Sequence, residues 1–440
     1  MMQLNPHIQR YSWSELTPHR LVMMPLVISV IAYIAFQFHF ASHMMSTIYL
    51  VLIGLWGGRR ACEVVIEEIQ ENTWDFQRLS SVTPWNLSWG KLLGSTIFMW
   101  YGGLCALAIF VLVFPMEEAT GSALQIVGAY VMGGLLCHVG SLFFSLVQLQ
   151  GRPHVKARFG VNAAYIGGLI LGAYGASTIL AIDHTEFWGI KAAPMMSWYG
   201  VTLSSVIFAN ITTLLLLMWL LLGIYCLLRL QLRMHNTPWY WLAFLIFCMV
   251  YFPGFYTAGE APVLLSSAAF IALSWTYVIA FMDVWDGIRY RKCLNAWKEN
   301  AKATFLYAVP RWIPSLCVCL VVTVISLIGH QEDQQTRSLI LLSMLGFMLR
   351  DIAILHYFRL TPNGRSPAIV TLFYLFVLYA IVPSLFGVLH MGGIAKLFIP
   401  LKLPNFISTD MTPVVSGYIQ AILVVVGIIR KWRQYWQKAQ

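Results

Sequence analysis

Acidic side chains are concentrated in two polar stretches of a chain that is otherwise mostly apolar. The first stretch contains Glu67, Glu68, Glu71, Asn72 and Asp75, and the second contains Asp283 and Asp286. Carboxylates at such short spacings can hold Mg²⁺ against a diphosphate group. A nucleotide-hydrolysing site would need the pattern G-x-x-x-x-G-K-[ST], which the sequence does not contain. ATP hydrolysis therefore cannot be assigned to this polypeptide.

The composition places these residues in an integral membrane protein. Charged residues make up 10% of the 440 residues and hydrophobic residues 59%, whereas a soluble domain carries about 25% charged residues. The eight cysteines lie in or beside apolar stretches and form no CxxC pair, so they are interpreted as small apolar side chains. The expected fold class is an all-α polytopic membrane protein.

Twelve stretches are apolar and long enough to cross a bilayer as helices, which takes about 20 residues. They are 21–39, 45–62, 92–114, 122–147, 161–182, 203–228, 239–255, 263–282, 314–329, 338–358, 367–389 and 413–429. With the N-terminus inside, 24 of the 28 Lys and Arg residues lie on the cytoplasmic side. We therefore expect about twelve transmembrane helices in the cell inner membrane, with both termini cytoplasmic. The net charge of +10 then reflects the cytoplasmic basic residues that orient the helices in the membrane, and it does not indicate a nucleic-acid-binding surface.

Loop lengths divide the chain into two six-span halves. Residues 21–234 form the first half, with a long inside loop at 63–91, and residues 235–440 form the second, with an inside loop at 283–313. Residues 1–20 precede the first span and predict an amphipathic helix at the inner membrane interface. Its expected apolar face consists of Ile8, Tyr11, Trp13 and Leu16.

The first inside loop combines an acidic helix with a second helix start. Four carboxylates recur every fourth residue, at Glu63, Glu67, Glu71 and Asp75. This spacing predicts one face of a helix that continues the second span into the cytosol, either solvated or docked on a basic partner. Thr83 followed by Pro84 predicts the next helix start. That helix would place the Lys91 ammonium at the inner interface.

The same loop resembles the coupling segment of type-2 ATP-binding-cassette exporter permeases. That family has a pattern like E-x-G-T-x-E, then Thr-Pro or Ser-Pro, then Gly-Lys-Leu, between its second and third spans. Here the chain reads Glu71-Asn72-Thr73-Trp74-Asp75, then Pro84-Trp85, then Gly90-Lys91-Leu92-Leu93. Asn72 replaces the usual glycine, and Ser81 stands where many members have an earlier proline. The motif similarity covers residues 60–95.

The resemblance implies a transporter subunit rather than an enzyme. The residues that it implies in ATPase coupling are Glu71, Thr73, Trp74, Asp75, Pro84, Trp85, Gly90 and Lys91. Two separate ATP-binding-cassette ATPase subunits would bind ATP and Mg²⁺, and this chain itself would bind no cofactor or metal. ATP-driven alternating access would move an unidentified substrate across the inner membrane, and lipid-like amphiphiles are one expectation for it.

The second inside loop departs from this motif. It has no Thr-x-Asp and no Gly-Lys, and it is strongly basic. Its candidate coupling residues are Arg289, Arg291, Lys298, Pro310 and Arg311. The loop either meets an ATPase through other contacts or serves another partner.

Two charged residues lie inside an apolar span, where ionisable groups suggest a function. Arg350 and Asp351 are adjacent in the tenth predicted span. Neighbouring helix positions point about 100° apart, so the two need not pair with each other. Arg350 could instead extend toward the water at the inner face. His138, in the fourth span, is interpreted as a hydrogen-bonded histidine of the helix bundle.

Two other functions stay open at this point. A secondary carrier of the major facilitator kind also has six plus six spans, but it places its long inside loop between the halves, where this chain has a short one. A Mg²⁺-dependent membrane prenyltransferase would use the acidic clusters described first. Such enzymes resemble this chain only by those clusters and use fewer than twelve spans.

Overall fold

The structure is a computed structural model that describes residues 5–80, 82–113, 120–151, 158–180, 195–255, 261–283, 287–328, 335–360, 367–400 and 411–437. Helices account for 86% of the described residues, which is consistent with the all-α polytopic class. Within these ranges the only sheet is a short hairpin of β1 (Met195–Trp198) and β2 (Val201–Ser204).

The chain divides into two compact units. The first comprises Met1–Met196 and Thr202–Asn236, and the second comprises Ser197–Val201 and Thr237–Gln440. The first unit contains α1 (Pro6–Glu15), α2 (Pro18–Gln37), α3 (Ala41–Tyr49), a π-helix (Leu50–Gly57), α4 (Gly58–Gln70), α5 (Trp74–Leu79), α6 (Pro84–Trp89), a second π-helix (Gly90–Gly94), α7 (Ile97–Val113), α8 (Thr120–Gly151), α9 (Arg158–Leu180) and α10 (Ser205–Gln231). The second unit contains α11 (Trp239–Tyr251), a 3-10 turn (Pro253–Phe255), α12 (Ala261–Met282), α13 (Gly287–Lys298), α14 (Lys302–Ala308), α15 (Trp312–Ile328), α16 (Gln335–Arg359), α17 (Pro367–Phe376), a π-helix (Val377–Ile381), α18 (Val382–Val388), α19 (Gly392–Ala395) and α20 (Thr412–Gln437).

Seven helices in the described ranges are long and apolar enough to cross a membrane. They are Pro18–Gln37, Ile126–Gln150, Ile207–Gln231, Val263–Met282, Thr336–Arg359, Pro367–Val388 and Thr412–Gln434. Two further helix pairs pass the same test together but are bent, by 50° and by 92°, which raises the number to as many as nine. Every predicted span overlaps a described helix. The chain is a multi-pass membrane protein by helix length and composition, and the count of twelve stays a prediction.

Glycines allow α8 and α9 to pack closely in the first unit. A Cβ atom on Gly168 would come within 2.8 Å of the Cys137 carbonyl oxygen, and one on Gly172 would come equally close to the Gly133 carbonyl. Small residues let helix backbones approach in this way inside membranes, where no hydrophobic effect drives helices together.

The acidic helix of the first unit ends earlier than predicted. α4 ends at Gln70, Asn72 has a φ of +59°, and α5 begins at Trp74. Asparagine is one of the few residues that adopt this left-handed conformation readily, and here it separates the two helices. Asp75 is therefore not on the helix face that Glu63 begins, and the predicted continuous acidic face is wrong.

The two other local predictions for the first unit have different outcomes. The helix start is confirmed, because α6 begins at Pro84 and the Thr83 hydroxyl accepts a hydrogen bond from the Asn86 amide at 3.3 Å. The single apolar face of α1 is wrong. Tyr11 is buried in the unit, whereas Trp13 is 75% exposed, so the two side chains point in different directions.

Candidate functional site

Glu68 organises the stretch that we call the first connecting segment, residues 71–91. It lies on the buried side of α4, one turn after Val64, and only 7% of it is exposed. Its carboxylate binds the ammonium group of Lys91 and accepts a hydrogen bond from Gln77 Nε2 at 2.6 Å. One carboxylate therefore joins the end of α4 to α5 and to the π-helix that leads into α7.

Lys91 is fully buried in the first unit, so its ammonium contacts other residues of the chain. Its depth at the inner membrane interface stays a prediction. α1 covers Lys91, with the centre of the Tyr11 ring 5.9 Å from Nζ. The adjacent Gly90 is equally enclosed, because a Cβ atom there would come within 2.5 Å of the His7 Cβ. The glycine-lysine pair is thus the place where the N-terminal helix packs.

Burial shifts the pKa values of two α1 side chains in this cluster further from neutral pH. It raises the pKa of Tyr11 to about 12, and the negative charge of Glu68 acts in the same direction. It lowers the pKa of His7, and the positive charge of Lys91 lowers it further. Both side chains are therefore mostly uncharged at neutral pH, and neither adds a charge beside the ion pair.

α5 is held in place by one buried ring and one arginine. Trp74, at its first position, is 3% exposed. Arg78, in its last turn, donates to Asp75 Oδ1 at 2.7 Å and to the Gln231 carbonyl at the end of α10 at 3.0 Å. The short helix is thus fixed to the rest of the unit although it would be marginal by itself.

Apolar side chains are exposed on this anchored helix. Phe76 is 76% exposed and Leu79 is 87% exposed, and a spacing of three residues puts them on one side of α5. Trp85 is 45% exposed, with its ring against the edge of Trp89 at a centroid distance of 5.7 Å. We call Phe76 and Leu79 the apolar patch; Trp85 is a further exposed ring of the same connecting segment.

The eight residues that the resemblance assigned to coupling fall into two groups. Glu71, Thr73, Asp75 and Trp85 are exposed, Pro84 is partly buried, and Trp74, Gly90 and Lys91 are buried. The exposed group can contact another molecule. The buried group holds the segment on the unit and cannot be part of a contact surface.

The equivalent stretch of the second unit, which we call the second connecting segment, comprises residues 287–311. Asp283, just before it, accepts hydrogen bonds from the Arg311 backbone amide and from Arg311 Nε, both at 2.9 Å. Arg289 donates to the carbonyls of Ala308 and Val309 at 3.0 Å. An ion pair between Asp283, before the segment, and Arg311, its last residue, therefore closes it, as Glu68 and Lys91 do in the first unit.

The candidate coupling residues of this second segment also divide by burial. Pro310 is buried, and Arg289 and Arg311 make the internal contacts just described. Arg291 and Lys298 are exposed. Of the five, only these last two are exposed at the surface of the unit.

Four of the six carboxylates that could hold Mg²⁺ are paired with cations instead. The pairs are Glu67–Arg60, Glu68–Lys91, Asp75–Arg78 and Asp283–Arg311. Asp286 lies outside the described residues. In the part of the chain that the structure describes, no group of three or more His, Cys, Asp or Glu side chains could hold a metal ion. These contacts weigh against the prenyltransferase alternative.

Arg350 and Asp351 form an ion pair within α16. Arg350 Nε donates to Asp351 Oδ1 at 2.8 Å, and both residues are 1% exposed. Arg350 Nη1 donates to Gln420 Oε1 at 2.8 Å, and the guanidinium lies 4.8 Å from the centre of the Tyr379 ring. The expectation that Arg350 extends toward water is therefore wrong.

Asp351 collects further partners from two other elements. Its Oδ2 accepts hydrogen bonds from the Tyr379 hydroxyl at 2.7 Å and from the Tyr277 hydroxyl at 3.3 Å. Tyr379 lies in the π-helix Val377–Ile381, and such helices occur frequently at functional sites. His138, by contrast, is a bundle histidine as predicted, with Nε2 2.8 Å from the Ile53 carbonyl oxygen.

Sequence reasoning missed the structural roles of Glu68 and Asp283. For Glu68 a signal was present, because it follows Val64 and Val65 at the spacing that keeps it on the buried side of α4. A carboxylate on such a side needs a cationic partner. No local pattern identifies that partner, which is 23 residues away.

Comparison of the chain with protein-family models, with curated proteins and with solved structures finds no match in any of the three. Its function is therefore inferred from its own residues and their geometry.

Proposed function

We propose that the chain is the membrane permease of an ATP-binding-cassette exporter and that a separate ATPase docks on the first connecting segment. The observation that carries this proposal is the apolar patch on a short helix that buried contacts hold in place. In the proposed arrangement, twelve spans and two cytoplasmic termini put this segment in water at the inner face of the inner membrane.

The apolar patch supports protein binding. Large apolar side chains that are exposed to water at a fixed position are typical of protein interaction sites. Phe76 and Leu79 are both more than three-quarters exposed, and the exposed carboxylates of Glu71 and Asp75 lie in the same segment. The complementary surface on the ATPase would therefore combine an apolar pocket with basic side chains.

The Glu68–Lys91 ion pair supports the transfer of movement from that surface into the membrane. A displacement of α5 reaches α4 through the hydrogen bond of Gln77 to Glu68, and reaches the π-helix Gly90–Gly94 through Lys91. α4 and α7 continue the second and third predicted spans. ATP-driven closure of two ATPase subunits would then rock the first half against the second and move a lipid-like or other amphiphilic substrate.

A position-specific crosslink tests this placement. Leu79 and Leu112 are similarly exposed, at 87% and 82%, but Leu112 lies on the apolar helix α7. With a photoreactive amino acid at one position or the other, in native membranes, we expect position 79 to crosslink to an ATPase polypeptide and position 112 to crosslink to lipid. Lipid adducts at position 79, or the absence of any protein adduct there, would contradict the proposal.

A secondary carrier is the second candidate, and one observation favours it. The buried Arg350–Asp351 pair with its tyrosine partners is of the kind that relays protons inside transporters. If position 79 yields no protein adduct and the purified chain carries no ATPase, this becomes the better interpretation. Proton movement into vesicles that contain the chain alone would then support it.

A further inference from the structure

The orientation of α14 relative to the following helix differs from that of its counterpart in the first unit. α14 (Lys302–Ala308) meets α15 (Trp312–Ile328) at a bend of 92°, whereas Pro84–Gly94 meets α7 at 50°. A helix that crosses a bilayer is tilted from the membrane normal by about 20° on average. If α15 crosses the membrane, α14 therefore lies nearly parallel to the membrane surface.

One side of α14 is exposed and largely apolar. The exposed positions are Lys302, Ala303, Leu306 and Tyr307, whereas Ala308 is buried. The spacing i, i+1, i+4, i+5 is that of a single helix face. Leu306 and Tyr307, 37% and 46% exposed, thus lie on the same side of a helix that runs along the surface.

The residues around this face are mostly basic, and they include an exposed tryptophan of the kind found at membrane–water interfaces. Within 287–311 the sequence has six basic residues and one acidic residue, Glu299. Lys298 and Lys302 are exposed at the two ends of the tight turn between α13 and α14. Next to that turn, Trp297 is 69% exposed, and its ring lies 5.5 Å from that of Phe305.

We propose that the face of Lys302, Leu306 and Tyr307, together with Trp297 and Lys298, binds the anionic lipid headgroups around α15. Lysines there meet headgroup phosphates, while tryptophan and tyrosine occupy the depth of the glycerol backbone, where amphipathic rings are enriched. Each lysine near an anionic surface contributes about 1 kcal/mol, or about fivefold in affinity.

Lipid is favoured over a protein partner because the helix lies in the plane of the membrane and continues directly into an apolar helix. The first connecting segment differs in both charge and bend. Residues 71–91 carry two acidic and two basic residues, and the helix Pro84–Gly94 at the end of this segment is bent less from the helix that follows it. The two units would thus use equivalent segments for different partners, a protein in the first and the lipid surface in the second.

Photoactivatable lipids test this surface directly. The full chain is reconstituted in phosphatidylcholine nanodiscs that contain a minority of photoactivatable phosphatidylglycerol or, in parallel, photoactivatable phosphatidylcholine. Labelled peptides are then mapped by mass spectrometry. We expect phosphatidylglycerol to label residues 297–311 at least about fivefold more than phosphatidylcholine does, by the estimate for one lysine. This excess should fall in Lys298→Gln/Lys302→Gln and persist in Lys298→Arg/Lys302→Arg.

Two results would overturn the assignment. Equal labelling by the two lipids would show a contact without anionic selectivity. No label on 297–311 from either lipid would show that this surface does not contact the bilayer. Both results are independent of whether an ATPase binds the first connecting segment, because the experiment uses the chain and lipid alone.

Discussion

A Lys91→Met variant is expected to lose about 3–5 kcal/mol of folding stability, the usual effect of removing one partner of a buried ion pair. Lys91 is 0% exposed and Glu68 is 7% exposed, so the Glu68 carboxylate would stay buried without its counter-ion. Gln77 would still donate to it, but a neutral amide does not replace an ammonium group. The measurement is the unfolding midpoint of the purified protein in mild detergent.

Two matched variants separate this effect from general damage. In Glu68→Gln/Lys91→Met neither charge remains, so much of the lost stability should return. Arg59→Met also removes a cation from an ion pair, but its pair with Glu63 is on the surface and should matter little. If Lys91→Met unfolded at the same midpoint as Arg59→Met, the buried pair would not hold the segment.

An Asp351→Leu variant is expected to lose a similar amount of folding stability, about 3–5 kcal/mol. It would leave the Arg350 guanidinium inside the second unit with Gln420 as a neutral partner. It would also remove the acceptor of the Tyr379 and Tyr277 hydroxyls. Thermal unfolding and the yield of monodisperse protein both report this loss.

The controls for this second prediction form a graded series. Tyr379→Phe removes one hydrogen bond to Asp351 and should lower stability by about 0.5–1.5 kcal/mol. Arg350→Met/Asp351→Leu removes both charges and should be more stable than Asp351→Leu alone. The account of this polar centre would be wrong if the double variant were the least stable of the three.

The positions of the helices follow from the sequence because each depends on a local property. Apolar runs of sufficient length predict them, and a hydroxyl followed by proline predicts the start of α6 at Pro84. The end of α4 also had a local signal in the sequence, the residue Asn72. It was missed because the regular spacing of the carboxylates was given more weight than a residue that tolerates positive φ.

Which charged side chains are buried could not be predicted in the same way. Glu68 meets Lys91 over 23 residues, and Asp283 meets Arg311 over 28 residues, so these contacts depend on tertiary packing. The motif containing Lys91 suggested a contact surface, whereas α1 covers that lysine in the structure. The apolar patch likewise could not be predicted from the sequence, because the exposure of Phe76 depends on how α5 is anchored to the rest of the unit.

The central claim, that an ATPase binds the apolar patch, is tested most directly by co-purification from mild detergent. Three proteins are compared: the wild type, Phe76→Ser/Leu79→Ser, and the conservative control Phe76→Leu/Leu79→Met. Lys91 is left unchanged, because its replacement is expected to unfold the segment. The bound fraction is measured as ATP hydrolysis per permease.

We expect ATPase activity with the wild type and the conservative variant, and a more than tenfold loss with the serine variant, since two exposed apolar anchors contribute about 2 kcal/mol or more each. Equal ATPase activity in all three proteins would show that the ATPase docks at a site other than the apolar patch. The absence of an ATPase from every sample would contradict the exporter function itself.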